Sequence, residues 1–158
     1  MQIVPVTAEN LRLYLNLAQS YEGEFSAITG KQPGPDGLFA LDTPLTGDVR
    51  GYLLLLDSIP LGITAIAHGP DQYYEICEFY VVPSVRKRDL GRRFAHALWQ
   101  QLPGHWQIKQ LPQAQYASAF WRKTIASFAV SFAEDQYLDP YWGAVQRQRF
   151  SVAPTLAA

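Results

Sequence analysis

Two hydrophobic rhythms divide the chain. Residues 2–6 (QIVPV), 51–57 (GYLLLLD), 61–67 (LGITAIA), 73–82 (YYEICEFYVV) and 105–111 (HWQIKQL) are short apolar or alternating runs bounded by Gly, Pro or Asp, which predicts strands. Pro5 places the first of these near a sheet edge. Between the second and third, Ser58-Ile59-Pro60 reads as a hairpin-like turn. Elsewhere the apolar residues return every three or four positions. Leu11, Tyr14, Leu15 and Ala18 mark a helix that Thr7 is expected to cap, and YEGEFSAIT (21–29) reads as a second short helix. Gly30, Pro33, Gly34, Pro35 and Gly37 end it in a loop. Leu90, Phe94, Ala97 and Leu98 form one stripe of a helix over 90–102, stopped by Pro103-Gly104. Ala117, Phe120, Trp121 and Ile125 mark another over 114–127. Late strands are predicted at 128–133 (FAVSFA) and about 144–151, with a hairpin around Asp139-Pro140. The expected order is β-α-α-β-β-β-α-β-α-β-β. Hairpin strands followed by strand–helix alternation predict an α/β (α+β) fold, a mixed sheet with helices on its faces.

Composition narrows the function classes. With 158 residues, 48% of them hydrophobic and 17% charged, the chain fits one globular domain with a sizeable core. The pI near 6.3 argues against a general nucleic-acid binder. Cys77 is the one cysteine, so no internal disulfide forms, and no Cys/His spacing suggests a metal site. The N-terminus lacks the charged start and long apolar core of a signal peptide, and no apolar run is long enough to cross a bilayer. These features lead us to expect a soluble cytoplasmic protein without nucleic-acid or membrane partners.

One stretch departs from the even charge balance. VRKRDLGRR (85–93) holds five of the 13 Lys and Arg residues in a chain of net charge −1. A helix is predicted to begin at Asp89-Leu90-Gly91, and its N-terminus carries partial positive charge. Arg92 and Arg93 in the first turn oppose that dipole unless an anion docks there. Free N–H groups, basic side chains and a glycine that admits close approach make a phosphate site. The alternatives are a solvated basic turn and a nucleic-acid patch, the latter weakened by the absence of a second such cluster. The spacing is neither that of a Walker loop nor that of a dinucleotide fingerprint.

VVPSVRKRDLGRRFAHAL resembles the cofactor motif of the GNAT N-acetyltransferases: a strand ending in V-x-P, then Arg or Gln-x-x-Gly-x-Gly or Ala, then a helix. Arg86 matches the first position, Leu90 the aliphatic residue, Gly91 the last position and Arg92 a common basic residue after it. Asp89 stands where the family prefers glycine, and is read as an N-cap turned towards Arg88 or Arg93. QAQYASAFWRKTIASF resembles the family's N-x-x-A-x-x-F-Y helix, with Ala117 and Phe120 matching, Ala114 at the Asn position and Trp121 at the Tyr position.

The resemblance implies a single GNAT-like domain over residues 1–158, with a mostly antiparallel central sheet. It implies that acetyl-coenzyme A is co-substrate and that an amine attacks the thioester directly. The loop Arg86, Lys87, Arg88, Asp89, Leu90, Gly91 and Arg92 would then bind its pyrophosphate. Backbone N–H groups of Phe79, Tyr80 and Val81 would hold the pantetheine arm and the acetyl oxygen. Glu78, in an otherwise apolar strand, is the candidate base, its pKa raised by those surroundings; the alternative is an edge-facing or salt-bridged Glu. Glu75 is expected on the opposite face. Tyr116 and Tyr80 carry hydroxyls, but no general acid is assigned. His68, His96 and His105 pair with no Ser or Cys pattern, and Cys77 reads as an inert buried thiol. Glu22, Glu24, Glu134, Asp135 and Asp139 would suit a cationic amine or simply solubilise. Tyr137, Tyr141, Trp142 and Phe150 would line a pocket or a homodimer contact. The rival reading is a weakened GNAT-like module that binds the cofactor, or only a partner.

Overall fold

Tyr14, Ala18 and Glu22 recur at a spacing of four, so one continuous stripe of the first helix, α1 (Leu11–Thr29), is buried. The two short helices expected over this stretch are therefore one. The helix stops at Gly30, which takes the left-handed conformation (φ 74°) and donates its N–H to Ser26 O at 2.8 Å. Its N-cap position is Asn10 and not Thr7: the Thr7 N–H donates to Asn10 Oδ1 at 2.7 Å.

This is a computed structural model, describing residues 1–129 and 131–155. Its strands are β1 (Gln2–Pro5), β2 (Val49–Leu56), β3 (Ile59–His68), β4 (Tyr73–Val81), β5 (Gly104–Gln110), β6 (Ala133–Asp139) and β7 (Gly143–Val152). They form one sheet in the order β1-β2-β3-β4-β5-β7-β6. Among the described residues every neighbouring pair is antiparallel except β4 with β5. The mixed, mostly antiparallel sheet is thus as expected. The β2–β3 turn is tighter than expected: Asp57 and Ser58 both have positive φ, as a two-residue hairpin needs, and Ile59-Pro60 already belong to β3. The strand expected at 128–133 is absent among its described residues: 128, 129, 131 and 132 are turn or irregular, and β6 starts at Ala133. Val130, within that expected strand, lies outside the described residues.

Helices α2 (Leu90–Gln101) and α3 (Gln115–Ala126) cover one face of the sheet. Their core joins Phe94, Leu98, Trp99, Trp121 and Ile125 to Ile76, Val81 and Ile108 of the strands. Helix α1 covers the other face, packing Tyr14 and Ala18 on Leu53, Ile63 and Tyr80. Among the described residues no helix is long and apolar enough to cross a membrane.

Candidate active site

Where β4 and β5 separate, the sheet opens. They pair only from Tyr73–Ile76 against His105–Ile108, and beyond that a cleft of about 620 Å³ lies between them. The far half of β4 keeps its ladder with β3 on one edge and turns its other edge to the cleft. The Val82 N–H donates to Leu61 O at 2.8 Å. Antiparallel bonds alternate, so the Tyr80 N–H also points at β3, while those of Phe79 and Val81 point into the cleft. Of the three N–H groups expected to serve, that of Tyr80 is committed to the ladder.

A β-bulge decides which side chains reach the site. Ala65 pairs with Glu78 but Ile66 pairs with Ile76, leaving Cys77 as the extra residue. Ile76 belongs to the core under α2 and α3, whereas Tyr80 belongs to the core under α1. Strict alternation from Ile76 would have turned Glu78 towards α2 and α3; the bulge turns it towards α1. It also puts Glu75 and Glu78 on the same face, where the sequence pattern separates them. Cys77 is half-buried, and burial, followed by the nearby Glu75 carboxylate, pushes its thiol up to about 12, so it is inert at neutral pH.

Glu78 is 3% exposed, and neither carboxylate oxygen has a hydrogen-bond partner at good geometry. Burial, then the Glu22 carboxylate, pushes its pKa up to about 8; Thr43 opposes the shift without cancelling it, and Asp42 adds to it. This is a buried, proton-holding carboxyl facing the cleft, not an edge-facing or salt-bridged one.

The basic loop borders the same cleft. Residues Pro83–Arg88 form a 3-10 turn, Asp89 follows in the left-handed conformation (φ 61°), and α2 begins. The Arg93 N–H bonds back to Asp89 O at 3.2 Å, so those of Leu90, Gly91 and Arg92 lack an intrahelical acceptor. Asp89 sits at the N-cap position, but its side chain does not cap the helix. It pairs with Arg92, and not with Arg88 or Arg93 as expected, and that partnership holds its carboxyl below the usual range. Arg86 donates from Nε to Val81 O at 2.9 Å, pairs with Glu24 of α1 at 2.8 Å, and lies over the Tyr80 ring. Lys87, Arg88 and Arg93 are exposed and form no ion pair among the described residues. Gly91 is buried against α3: a Cβ there would lie 3.3 Å from the Phe120 ring.

The remaining expected residues separate cleanly. Glu24, Asp139, Tyr116, Tyr141 and Trp142 line the cleft. Glu134 and Asp135 do not; they pair with Arg122 at 2.7 Å and Arg147 at 2.8 Å. Tyr137 lies under Arg147 and Lys109, and Phe150 is in the core. Ala114 is the N-cap of α3 without a side-chain cap bond, and Trp121 packs edge-on against Phe79 at 4.8 Å. His68, His96 and His105 bond Tyr52, Thr124 and Ser151, all away from the cleft lining. The sequence pattern missed Asp42 and Thr43, which the irregular stretch 30–48 brings to the cleft beside Glu78. Among the described residues no group of three or more His, Cys, Asp or Glu side chains is placed to hold a metal ion.

No protein-family model matches the chain, and no curated protein sequence matches it. Solved structures do. A protein from Bacteroides thetaiotaomicron, described as an acetyltransferase of the GNAT family, superposes with a TM-score of 0.67 at 15% identity, covering 100% of this chain and 89% of its own. The aminoglycoside acetyltransferase AAC(6')-Ib, in complex with coenzyme A, gives a TM-score of 0.69 at 15% identity over 95% of this chain and 94% of its own. The ribosomal-protein-S18-alanine N-acetyltransferase from Escherichia coli gives 0.60 at 12% identity over 99% and 96%. The chain therefore has the GNAT acetyltransferase fold.

Proposed function

We propose that the protein is an acetyl-coenzyme A dependent N-acetyltransferase that moves the acetyl group onto a primary amine by direct attack. The observation that carries this reading is the Glu78 carboxyl, which is buried, without a partner, and turned into the cleft where β4 leaves β5. Similarity in fold to acetyltransferases, one of them holding coenzyme A, adds support.

The residues present fit the co-substrate. The N–H groups of Phe79 and Val81 supply donors along the cleft for amide and acetyl oxygens, and they are fixed by the β3 ladder. The α2 N-terminus, with Lys87, Arg88 and Arg93 around it, supplies donors and charge for a pyrophosphate. Bound there, acetyl-coenzyme A supplies an activated thioester. An amine must lose the proton of its ammonium form before its lone pair can attack. The amine nitrogen then forms the C–N bond, the C–S bond breaks, and a second proton leaves nitrogen as the thiolate takes one up. Glu78, with its pKa pushed up to about 8, is matched to accept a proton near neutral pH. The N–H donors stabilise the charge that builds on the carbonyl oxygen.

A second reading has its own support. Trp121 occupies the place where the resembled family carries Tyr, and its ring is held between Phe79 and Phe120 without a hydroxyl to offer. A module that binds the cofactor without turnover would look the same at the loop. Calorimetric titration of acetyl-coenzyme A, with acetylated pantetheine lacking the pyrophosphate as control, tests the common part. Saturable binding that needs the pyrophosphate is expected; equal binding of both removes the loop assignment. Thiol release with an amine present then separates enzyme from module.

A further inference from the structure

The α1 side of the cleft is specific about the amine it would take. Two carboxylates and the proton-holding Glu78 carboxyl converge there: Glu22 of α1, Asp42 of the 30–48 stretch and Glu78 of β4. Lys31 is shared by the first two, at 3.0 Å from Glu22 and 2.8 Å from Asp42 Oδ1. Glu22 Oε1 also accepts the Asp42 N–H at 3.0 Å, which ties the loop to the helix. Three oxygens stay buried without a partner: Asp42 Oδ2 and both oxygens of Glu78. Buried acceptors left unpaired are costly, and a donor that is also a cation satisfies them best.

An aromatic wall stands beside these oxygens. Tyr21 stacks on Phe25 at 5.6 Å, Phe25 meets Trp142 edge-on at 6.1 Å, and Trp142 meets Tyr141 at 4.7 Å. The Tyr141 hydroxyl donates to Asp42 Oδ1 at 3.0 Å, so wall and carboxylates form one unit. Asp139 fixes the turn that carries them, its Oδ1 accepting the N–H groups of Tyr141 at 2.8 Å and Trp142 at 2.9 Å. Such rings hold an apolar body and, through their faces, a nearby cation.

Elsewhere in the cleft, among the described residues, no carboxylate keeps a buried oxygen without a partner. Glu24 is already paired with Arg86, and Glu75 and Asp139 with Lys109 at 2.7 and 2.8 Å. A second ammonium would meet carboxylates that each already have a basic partner, and the two basic side chains themselves, Arg86 and Lys109. Resting on the acetyl-transfer reading, we infer that the acceptor is a monoamine with an aromatic body, its ammonium against Asp42 and Glu78 and its ring against Phe25 and Trp142.

The test uses the full chain without cofactor, with 2-phenylethylamine, two comparators (2-phenylethanol with the same body and no charge, and spermidine with three charges and no ring), and methylamine as a charge without a ring. Calorimetry is expected to show saturable phenylethylamine binding at least about tenfold tighter than either comparator, a difference of about 1.4 kcal/mol. Asp42→Asn should weaken phenylethylamine by about tenfold while phenylethanol and acetyl-coenzyme A binding stay as they were. Because that substitution also loosens Lys31, Trp142→Ala provides a second variant, expected to weaken phenylethylamine but not methylamine. Equal binding of the alcohol, or preference for spermidine, overturns the inference. So does a protein that binds acetyl-coenzyme A but none of the amines, which leaves the acetyl-transfer reading standing. Phenylethylamine binding without any acetyl-coenzyme A binding does the reverse: the amine site stands and the transfer reading falls.

Discussion

The two ends of the cleft are built in opposite ways. The proposed pyrophosphate end is basic, largely exposed and local: its cations and free helix N–H groups come from one run, residues 86–93. The amine end is acidic, buried and assembled from α1, the 30–48 stretch, β4 and the β6–β7 turn. Charges of the first kind are screened and can adjust to a flexible ligand. Those of the second kind have fixed positions, and at Glu78 a raised proton affinity, because water is replaced by protein. On the proposed reading, anchoring falls to the adaptable end and chemistry to the rigid one.

The sharpest way to break this contrast is at Glu78. Glu78→Gln should lower kcat/KM by about 10²–10⁴-fold, the range for loss of a general base, with acetyl-coenzyme A affinity unchanged by calorimetry. A loss confined to cofactor affinity would move Glu78 to the other end of the cleft. The same variant should show the cost of the rigid end. In the folded chain Glu78 releases its proton near 8, against an ordinary value of 4.5. The folded state therefore holds that proton more tightly than the unfolded one. Its contribution is whole below about pH 4.5 and is lost as pH rises through 8. Glu78→Gln removes this fall, so denaturant unfolding at pH 9 should find the variant more stable than the parent. The gain should be a few kcal/mol at most, because each tenfold difference in proton affinity is worth about 1.4 kcal/mol. At pH 4 the two should converge.

At the other end, Gly91→Glu sets a side chain against Phe120 and a carboxylate near the anion site. Acetyl-coenzyme A affinity should drop by about 10–100-fold, with the melting temperature measured alongside to separate lost charge from lost packing. Unchanged affinity would remove the pyrophosphate from this loop. The smallest effect belongs to the exposed cations: Lys87→Ala and Arg88→Ala should each weaken binding only about two- to fivefold, and the effect should fade at high salt.

The same contrast governs what is legible in the sequence. The loop, the strand before it and the helix after it are contiguous, so Arg86, Gly91 and Glu78 stand out as a linear pattern. The sheet follows because its strands alternate or run apolar between Gly and Pro breaks. With the first helix divided in two, Glu22 reads only as one of several acidic residues suited to an amine or to solubility; read as one helix, Tyr14, Ala18 and Glu22 share a stripe, and a carboxylate in a buried stripe announces a site. Asp42 has no such signal, since only its meeting with Glu22 and Lys31 across the chain gives it a role. Asp89 is visible as an intruder in the motif, yet its partner Arg92 lies one helical turn along, where a left-handed backbone sends it.

The bulge at Cys77 has a consequence for how this site can be lost or gained. What it supplies is a count, one residue more on β4 than on β3, and no side-chain identity encodes a count. Replacing Cys77 by Ser or Ala leaves the count intact and Glu78 in place. Removing residue 77 makes Ile76 and Glu78 neighbours opposite Ile66 and Ala65, and plain alternation still turns Glu78 towards α1. The orientation of Glu78 therefore survives both substitution and deletion at position 77, so the extra residue is one that this strand can gain or lose without turning Glu78 away from α1.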